Sequence, residues 1–385
     1  MSKSYYSLGL MSGTSMDGVD ASVIQSDGKS IYKSILDKYF KYPKTIYNNL
    51  TTLRDKIKSS KDLKKHQKQI KSVEKEITIF HAKAANKILK KTKINVNFIG
   101  FHGQTIFHNV EKKITKQLGD GRLLSKLTKK KVVYDFRQND LKNGGGGAPL
   151  TPIFHKMLAK KINLKNVVFI NIGGIINATT INDDGYFEAQ DIGPGMCLID
   201  KWIRTNSKKK YDDKGKIAKT GKINKKISNK AVNNYLTYHN KYVQKTGKEP
   251  SLDIKDFENF NILHPKFLKD LSLEDGAATL TEFTFQQLDI SLFQGVPVTH
   301  TFILCGGGRK NNFLVEKISR SRDGTSVEEF FKVILIDKYG IDGDFVESQA
   351  FAYLAIRSYL KLPISFPETT GCSKLCTGGV LIKNF

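Results

Sequence analysis

The chain is poor in cysteine and has no long apolar run. Only four of its 385 residues are cysteine. Cys372 and Cys376 lie close together, but their spacing matches no common zinc motif. We therefore expect buried, reduced thiols in a cytoplasmic protein rather than a disulfide scaffold. No stretch approaches the roughly 20 apolar residues of a membrane-spanning helix, and the first residues lack the apolar core of a signal peptide, so no membrane partner is expected.

Arginine is also scarce, although the chain is strongly basic. Lys and Arg total 63 against 37 Asp and Glu, which gives a formal net charge of +26, yet only eight of the 63 are arginine. Proteins that read nucleic acids rely on arginine for bidentate contacts to bases and phosphates. Lysines spread over helix surfaces instead predict a solvated surface and no specific nucleic-acid partner, with salt-dependent, non-specific binding to polyanions.

The length and the 39% hydrophobic content allow two globular lobes. The predicted strands are Tyr5–Leu10, Val19–Ile24, Ile31–Tyr39, Phe98–Phe101, Val132–Asp135, Val167–Ile172, Ile175–Ile181 and Val298–Cys305. Helices are predicted over Leu63–Ile88, Leu150–Lys161, Met196–Ile203, Leu273–Leu288, Asn311–Ile318 and Phe345–Tyr359. This alternation predicts an α/β protein. The four glycines Gly144–Gly147 suggest a lobe boundary, giving lobes 1–143 and 144–385, with the C-terminal segment free to pack on the first lobe.

The stretch Leu8–Asp20 predicts a strand, a turn and a second strand. Its turn holds two glycines, two hydroxyls and a carboxylate between Gly13 and Gly18. Glycines let backbone N–H groups approach an anion closely, and hydroxyls can donate hydrogen bonds to it. The pattern indicates either a phosphate-binding turn or an ordinary hairpin, because Gly, Ser and Asp also form turns for conformational reasons.

Two later glycine turns are similar in pattern. Gly173 and Gly174 join two further predicted strands, which suggests two related lobes. Gly306–Gly308 lies between a predicted strand and a predicted helix, where backbone N–H groups suit a nucleotide. The same three glycines are equally compatible with a tight connection.

Several polar residues stand at the ends of predicted strands, where ligands of α/β proteins collect. His102 and Gln104 follow one strand, and Arg137 follows another. His102 is either a ligand contact or a buried, hydrogen-bonded histidine. Asp191 precedes a Gly-Pro-Gly and a helix, so it either faces a cleft or stabilises the helix N-terminus. Glu347, in the first turn of the last helix, has the same alternative.

Together these segments resemble the anhydro-N-acetylmuramic acid kinase family, of the acetate and sugar kinase, actin and heat-shock chaperone ATPase superfamily. The matching motifs, in the family's order, are Met11–Asp20, His102–Thr105, Asp135–Arg137 with Asp140, Gly147–Leu150, Asn171–Ile175 with Asn177, Asp191 with Gly193–Gly195, Cys305–Gly308 with Asn311, and Glu347 with Ala350–Ala352. The resemblance implies two lobes with RNase H-like mixed-sheet cores and an actin-like ATPase fold, with ATP in the cleft between them.

The resemblance also implies a reaction. Water opens the 1,6-anhydro bond of the amino sugar while the released O6 takes the γ-phosphoryl group of ATP, which yields N-acetylmuramic acid 6-phosphate in peptidoglycan recycling. Asp191 is the implied catalytic base. ATP and Mg²⁺ are the implied cofactors, with no metal ligand named. Family analogy suggests a homodimer.

The same resemblance implies roles for further residues. The implied cofactor-binding residues are Gly13, Thr14, Ser15, Met16, Asp17, Gly18, Val19, Asp20, Gly173, Gly174, Gly306, Gly307, Gly308 and Asn311. The implied substrate-binding residues are Arg137, Glu347, His102 and Gln104. Arg137 would pair with the lactyl carboxylate of the sugar. Its alternative is a structural ion pair with Asp135 or Asp140.

Three departures from the family pattern leave the acceptor sugar open. Ile192, Met196 and Gly146 stand where the family usually has Thr, Asn and Gln. A sugar or acyl kinase with another acceptor is the nearest alternative function. A non-catalytic, ATP-gated binding module is an alternative outside the enzymes, and a polyanion-binding protein is a third.

Overall fold

The structure, a computed structural model, describes residues 3–247, 249–258, 268, 270–293, 299–320 and 332–383. The chain divides into two compact units, the first formed by Met1–Asn163 with Asp344–Phe385 and the second by Leu164–Gly343. The first boundary therefore lies after residue 163 and not after residue 143 as predicted, because residues 144–163 belong to the first unit. Residues 344–385 also belong to the first unit, in agreement with the expectation that the C-terminal segment packs on the first lobe.

The strands are β1 (Tyr5–Ser12), β2 (Gly18–Ser26), β3 (Tyr32–Lys41), β4 (Phe98–Asn109), β5 (Ile114–Leu118), β6 (Lys131–Tyr134), β7 (Val167–Ile172), β8 (Ile175–Ile181), β9 (Phe187–Pro194), β10 (Thr301–Cys305), β11 (Lys332–Leu335) and β12 (Val380–Ile382). The helices are α1 (Lys44–Lys56), α2 (Ser60–Lys65), α3 (Gln67–Thr92), α4 (Gly121–Thr128), α5 (Gln138–Lys142), α6 (Pro152–Lys161), α7 (Cys197–Asn206), α8 (Lys216–Thr220), α9 (Lys225–Thr246), α10 (Leu273–Leu288), α11 (Asn312–Arg320), α12 (Val346–Tyr359) and α13 (Pro367–Thr370).

Each unit is built on a mixed sheet with the same central order. In the first unit the order is β12-β6-β4-β1-β2-β3, with β5 paired to β4, and in the second it is β11-β10-β7-β8-β9. In both sheets the first three strands are antiparallel neighbours, β1-β2-β3 in one and β7-β8-β9 in the other. On the other side of the first strand two parallel strands follow, β4 and then β6 beside β1, and β10 and then β11 beside β7. The α/β class and the RNase H-like mixed-sheet cores are confirmed by this arrangement.

Helix α12 completes the first unit, although it lies near the end of the chain. It packs so closely on the sheet that a Cβ on Gly9 would lie 1.8 Å from the Ser348 carbonyl oxygen. A Cβ on Gly100 would lie 2.1 Å from the Phe351 carbonyl oxygen. Only glycine permits such an approach. Strand β12 then pairs with β6, which explains why residues 344–385 belong to the first unit.

Three predicted elements differ from the structure. The helix predicted over Leu63–Ile88 is divided at His66, whose φ of −101° and ψ of 19° separate α2 from α3. The strand predicted over Phe98–Phe101 continues to Asn109, because β5 supplies backbone partners for its second half. Of the strand predicted over Val298–Cys305, the structure has β10, and Val298 lies outside the described residues.

Candidate active site

The turn between β1 and β2 exposes three polar side chains above one buried anchor. Thr14, Ser15 and Asp17 are exposed, whereas Met16 is 2% exposed and packs into the core of the first unit. Ser15 Oγ donates to Asp17 Oδ1 at 2.5 Å, and the Met16 N–H donates to the Gly13 carbonyl oxygen at 3.1 Å. The turn therefore presents two hydroxyls and a carboxylate at the surface of this unit.

The two glycines of this turn have different surroundings. A Cβ on Gly13 would meet nothing within 4 Å, whereas one on Gly18 would lie 2.4 Å from the ring of Tyr39. Gly18 is therefore required by packing. Gly13 is not, and its backbone stays open to an approaching ligand. Of the remaining predicted contacts here, Val19 is buried in the core and Asp20 is half-buried.

Gln104, a predicted substrate contact, lies behind this turn. Its side chain is 1% exposed. Nε2 donates to the Gly13 carbonyl oxygen at 3.1 Å, and Oε1 accepts from Ser12 Oγ at 2.7 Å. Tyr42 donates its hydroxyl to Ser12 Oγ at 3.1 Å. This buried network joins the end of β1 to β4.

His102 and Arg137 are brought together in the first unit. The His102 Nδ1–H donates to the Gly103 carbonyl oxygen at 3.0 Å, and Nε2 lies 3.0 Å from Arg137 Nη2. These partners assign a neutral imidazole that accepts from the guanidinium. Burial, and secondarily Arg137, lowers the pKa of His102 to about 3. The ring also packs on Phe351 with centroids 4.5 Å apart. His102 is therefore a fixed support for Arg137.

The carboxylates around Arg137 have distinct surroundings. Burial raises the pKa of Glu347, and Arg137 acts in the opposite direction. Both oxygens of Asp140 accept hydrogen bonds elsewhere, Oδ1 from Thr370 Oγ1 at 2.6 Å and Oδ2 from the Gly147 N–H at 2.6 Å. Asp140 thus ties α5 to the glycine-rich loop and to α13, and its carboxylate is already used there.

Asp191 lies inside a strand of the second unit. The sequence predicts it at a strand end, but β9 continues to Pro194. The N-cap residue of α7 is Met196, whose side chain makes no capping hydrogen bond, and the alternative role of Asp191 at this helix N-terminus stays a prediction. Its Oδ2 accepts a hydrogen bond from the backbone N–H of Leu252 at 2.9 Å. The half-buried carboxylate is therefore held in one orientation, as a general base requires.

Asn171, Asn177 and Asp191 form a row across β7, β8 and β9. They are direct partners in the strand register, so their side chains share one face of the sheet. The Oδ1 atom of Asn177 is buried and has no hydrogen-bond partner among the residues that the structure describes. Such an acceptor indicates a place for a water molecule or a polar ligand group beside Asp191. Asn177 belongs to one of the matched motifs, but the resemblance implied no role for it. The signal for this role is an asparagine within the apolar run of β8.

The turn between β7 and β8 consists of Gly173 and Gly174. The carbonyl oxygen of Gly173 accepts from the Met196 N–H at 2.9 Å, and that of Gly174 accepts from the Gly195 N–H at 2.9 Å. A Cβ on Gly195 would lie 2.3 Å from the Gly173 oxygen. The residues before α7 thus hold this turn through backbone groups, and Gly195 is required for that approach.

The turn after β10 also depends on glycine. Gly306 has a φ of +79°, and a Cβ there would lie 2.4 Å from Asn171 Oδ1. A Cβ on Gly308 would lie 2.2 Å from the Ile172 side chain, whereas one on Gly307 would meet nothing within 4 Å. Gly306 and Gly308 are required by the fold. The Gly307 backbone is the open part of this turn.

Asn311 and Arg309 support the same turn from inside the second unit. Asn311 Oδ1 accepts from the Leu314 N–H at 3.1 Å, and Asn311 Nδ2 is buried without a hydrogen-bond partner in the described part of the chain. Arg309 is 4% exposed and donates to both oxygens of Asp337 at 2.7 and 2.8 Å and to the Gly306 carbonyl oxygen at 3.0 Å. The guanidinium lowers the pKa of Asp337. Arg309 is not among the site residues predicted from the sequence. The signal that could have identified it is an arginine beside a glycine turn in a chain with few arginines.

Metal, thiol and membrane features are limited. Within the described ranges, no group of three or more His, Cys, Asp or Glu side chains is arranged to hold a metal ion. The four cysteines are free and buried, which confirms the expected buried thiols. None of the helices in the described part of the chain is both long and apolar enough to cross a bilayer.

Comparisons with known proteins give one consistent result. The sequence model of the family described as anhydro-N-acetylmuramic acid kinase matches residues 5–384. A protein of that name from Pelagibacter ubique (strain HTCC1062) is 50% identical over 394 residues, covering 100% of both chains. Another of that name, from Agrobacterium fabrum (strain C58 / ATCC 33970), is 35% identical over 384 residues, covering 98% of each chain.

Solved structures match more distantly. The Acidaminococcus fermentans (R)-2-hydroxyglutaryl-CoA dehydratase component A aligns over 92% of this chain and 99% of its own, with 10% identity and a TM-score of 0.42. At this distance the match bears on neither the fold nor the activity.

The paired RNase H-like sheets and the full-length matches together define a kinase. More specifically, the chain belongs to the anhydro-N-acetylmuramic acid kinase family. The resemblance inferred from the ordered motifs is thereby confirmed.

Proposed function

We propose that the chain converts 1,6-anhydro-N-acetylmuramic acid, ATP and water into N-acetylmuramic acid 6-phosphate and ADP, a step of peptidoglycan recycling. The observation that carries the proposal is Asp191, held by the Leu252 N–H in a row with the unpartnered oxygen of Asn177. The substrate is proposed from the names of relatives that cover the whole chain.

The proposed reaction needs one carboxylate base instead of the usual pair. Ordinary inverting glycoside hydrolysis uses an acid for the leaving oxygen and a base for the water. Here water attacks C1 as the C1–O6 bond breaks, and O6 takes the γ-phosphoryl group as the bond to ADP breaks. Phosphorus replaces the proton at O6, so no general acid is required. Asp191 accepts one proton of the attacking water, and Asn177 Oδ1 accepts a hydrogen bond from the same water.

We assign the phosphates of ATP to the turn Gly13–Asp17 and the adenosine to the turn Gly306–Gly308. Phosphoryl transfer requires positioning and charge neutralisation. The open backbone at Gly13 and the exposed hydroxyls of Thr14 and Ser15 can supply hydrogen-bond donors. The exposed Asp17 carboxylate fits a hydrated Mg²⁺ ion, which prefers oxygen ligands and would neutralise phosphate charge.

We assign the lactyl carboxylate of the sugar to Arg137. A planar guanidinium matches a carboxylate in a bidentate geometry. His102 accepts from Nη2 and fixes one edge of that guanidinium. Glu347, whose pKa is raised by burial, is proposed to contact the sugar or its attacking water. The alternative use of Asp140 as the partner of Arg137 is less favoured, because both Asp140 oxygens accept hydrogen bonds from other groups.

Isotope labelling tests the reaction directly. The protein is incubated with ATP, Mg²⁺ and 1,6-anhydro-N-acetylmuramic acid in H₂¹⁸O, and the products are resolved by mass spectrometry. We expect one ¹⁸O at C1 and phosphate at O6 of the same molecule. Phosphorylated sugar without ¹⁸O, or ATP turnover without a sugar product, would contradict the coupled reaction and favour another acceptor or an ATP-gated binding module.

The proposal also covers the cellular location of the reaction and the oligomeric state of the protein. We place the reaction in the cytoplasm, where ATP is available, and propose a homodimer by family analogy. Size-exclusion chromatography with light scattering tests the dimer, since a monomer mass at micromolar concentration would contradict it.

A further inference from the structure

The turn Gly13–Asp17, to which we assign the phosphates, is held on its buried side by a side-chain amide. Gln104 Nε2 lies 3.1 Å from the Gly13 carbonyl oxygen and 3.3 Å from that of Thr105. Ser12 Oγ lies 2.7 Å from Gln104 Oε1, and Tyr42 donates to Ser12 Oγ at 3.1 Å. Ser12 and Gln104 are each 1% exposed and Tyr42 is 4% exposed. The amide is therefore sequestered from solvent, and its partners are the hairpin and the backbone of its own strand.

The register of β4 on β1 produces this contact. The two strands are parallel, and an irregularity between Leu10 and Met11 shifts the pairing so that Ser12 lies opposite Gln104. Gly103 has a φ of +76°, and a Cβ there would lie 2.2 Å from the Leu118 carbonyl oxygen. Gly103 thus allows the irregular backbone that brings Gln104 beside the end of β1.

Holding the Gly13 carbonyl has a geometric consequence for the next amide. In a trans peptide the C=O bond and the following N–H bond point in opposite directions. A Gly13 oxygen drawn toward Gln104 therefore directs the Thr14 N–H away from the buried amide. At its other end the turn is fixed similarly, because the Asp17 carbonyl oxygen accepts from the Tyr42 N–H at 2.8 Å and the Tyr39 hydroxyl at 2.9 Å.

We propose that Gln104 is a positioning residue for nucleotide phosphate, in place of the sugar contact predicted from the sequence. Its amide holds the Gly13–Thr14 peptide so that the Thr14 N–H faces the anion, with Ser12 and Tyr42 holding the amide in turn. The inference rests on the proposed function in one respect, the assignment of phosphate to this turn. Oriented backbone N–H groups are effective anion ligands, so losing the orientation weakens phosphate binding.

Nucleotide titrations separate positioning from general damage. Wild type, Gln104→Met and Tyr42→Phe are titrated calorimetrically with AMP, ADP and a non-hydrolysable ATP analogue, all with Mg²⁺. The Met side chain fills similar space but donates nothing to Gly13. We expect at least a tenfold loss of affinity for the ATP analogue, a smaller loss for ADP and a change within twofold for AMP. Tyr42→Phe is expected to show the same order with about a threefold largest loss.

Gln25→Met is the matched control. Gln25 lies on β2 of the same hairpin, and its Nε2 donates to Ser4 Oγ at 2.8 Å, away from the turn. We expect all three nucleotide affinities of this variant to stay within twofold of wild type.

The relative losses of affinity for the three nucleotides decide whether Gln104 is a positioning residue. Equal losses for the three nucleotides, or no loss in either test variant, would overturn the inference. A raised KM for the sugar with unchanged nucleotide affinity would restore the sugar contact and also overturn it. If Gln104→Met fails to fold, judged by circular dichroism, Tyr42→Phe alone decides. If the variants show these phosphate-dependent losses but the wild-type protein forms no sugar phosphate, only the proposed function is contradicted.

Discussion

The hairpins β1–β2 and β7–β8 occupy the same position in their two sheets but differ in how their turns are held. The first turn has an open Gly13, exposed polar side chains and a buried side-chain network behind it. The second is two glycines long, and its carbonyl groups accept from the backbone before α7. Equivalent topology therefore does not give equivalent chemistry.

This difference indicates a division of labour. An open turn with oriented N–H groups suits an anion, whereas a turn closed by its own backbone serves as a rigid base for the row Asn171, Asn177 and Asp191. Under the proposed function, the first hairpin binds phosphate and the sheet of the second unit carries the base that activates water.

Removing the proposed base should separate the two roles most sharply. Asp191→Asn keeps an oxygen that can accept from the Leu252 N–H but cannot take a proton from water. We expect sugar turnover to fall by about 10³-fold, within the range of general-base catalysis, with nucleotide affinity within twofold of wild type. Product formation is followed by mass spectrometry and nucleotide binding by calorimetry.

Asp184→Asn is the control for that change, since Asp184 lies in the turn before β9 and its Oδ1 accepts from the Tyr186 N–H. Near-normal activity in Asp191→Asn would remove Asp191 from the role of base. A parallel loss of nucleotide binding would break the division between the hairpins.

Acid should affect the two units differently. In the first, burial lowers the pKa of His81 to about 4 and that of His155 to about 3. In the second, the Glu249 hydrogen bond raises the pKa of the more exposed His239. A depressed histidine pKa means that the unfolded chain binds more protons as pH falls below about 6.5, so the buried histidines destabilise the fold in acid. His239 contributes in the opposite sense.

The test is urea unfolding between pH 7 and pH 4. We expect the free energy of unfolding to decrease as the pH falls from 7 to 4. In His81→Leu this decrease should be smaller than in wild type by up to about 3 kcal/mol. His239→Leu is the counterpart in the second unit and should not reduce the acid sensitivity. Parallel pH profiles for wild type and His81→Leu would contradict the assignment.

A matched pair of glycine substitutions should give the smallest and most discriminating effects. Gly306→Ala places a Cβ at a φ of +79° and 2.4 Å from Asn171 Oδ1, so we expect a loss of about 1–3 kcal/mol in unfolding free energy. Gly13→Ala meets nothing within 4 Å, so we expect stability within about 0.5 kcal/mol of wild type.

For Gly13→Ala the KM for ATP should instead rise several-fold, because a methyl group obstructs close approach of phosphate to the backbone. Chemical denaturation and steady-state kinetics measure the two quantities. An unstable Gly13→Ala variant, or one with an unchanged KM for ATP, would contradict the open-turn interpretation of the first hairpin.

Local pattern was sufficient to predict much of the fold. The apolar runs of β1, β2, β7 and β8 and the helix α10 are visible in the sequence, because each buries a regular set of its own residues. Ordered motifs were sufficient to predict the family. The extension of β4 was not predictable in this way, since β5 supplies the hydrogen bonds that sustain it.

The site depends more heavily on distant contacts. The hydrogen bond from Leu252 to Asp191 joins positions 61 residues apart, and that from Gln104 to Gly13 joins positions 91 apart. Neither residue type announces its partner, because the contact is set by strand register and loop path. The roles of Asn177 and Arg309 likewise become visible only when burial and hydrogen-bond partners are known.

The interruption of the first unit by residues 164–343 has a consequence for biosynthesis. The second unit is contiguous, so the ribosome delivers all of it before α12 and β12 exist. The first sheet, by contrast, exposes the glycine-lined surface that α12 covers until the last part of the chain has emerged. The second unit can therefore be completed during synthesis before the first unit, although the first unit contains the N-terminus.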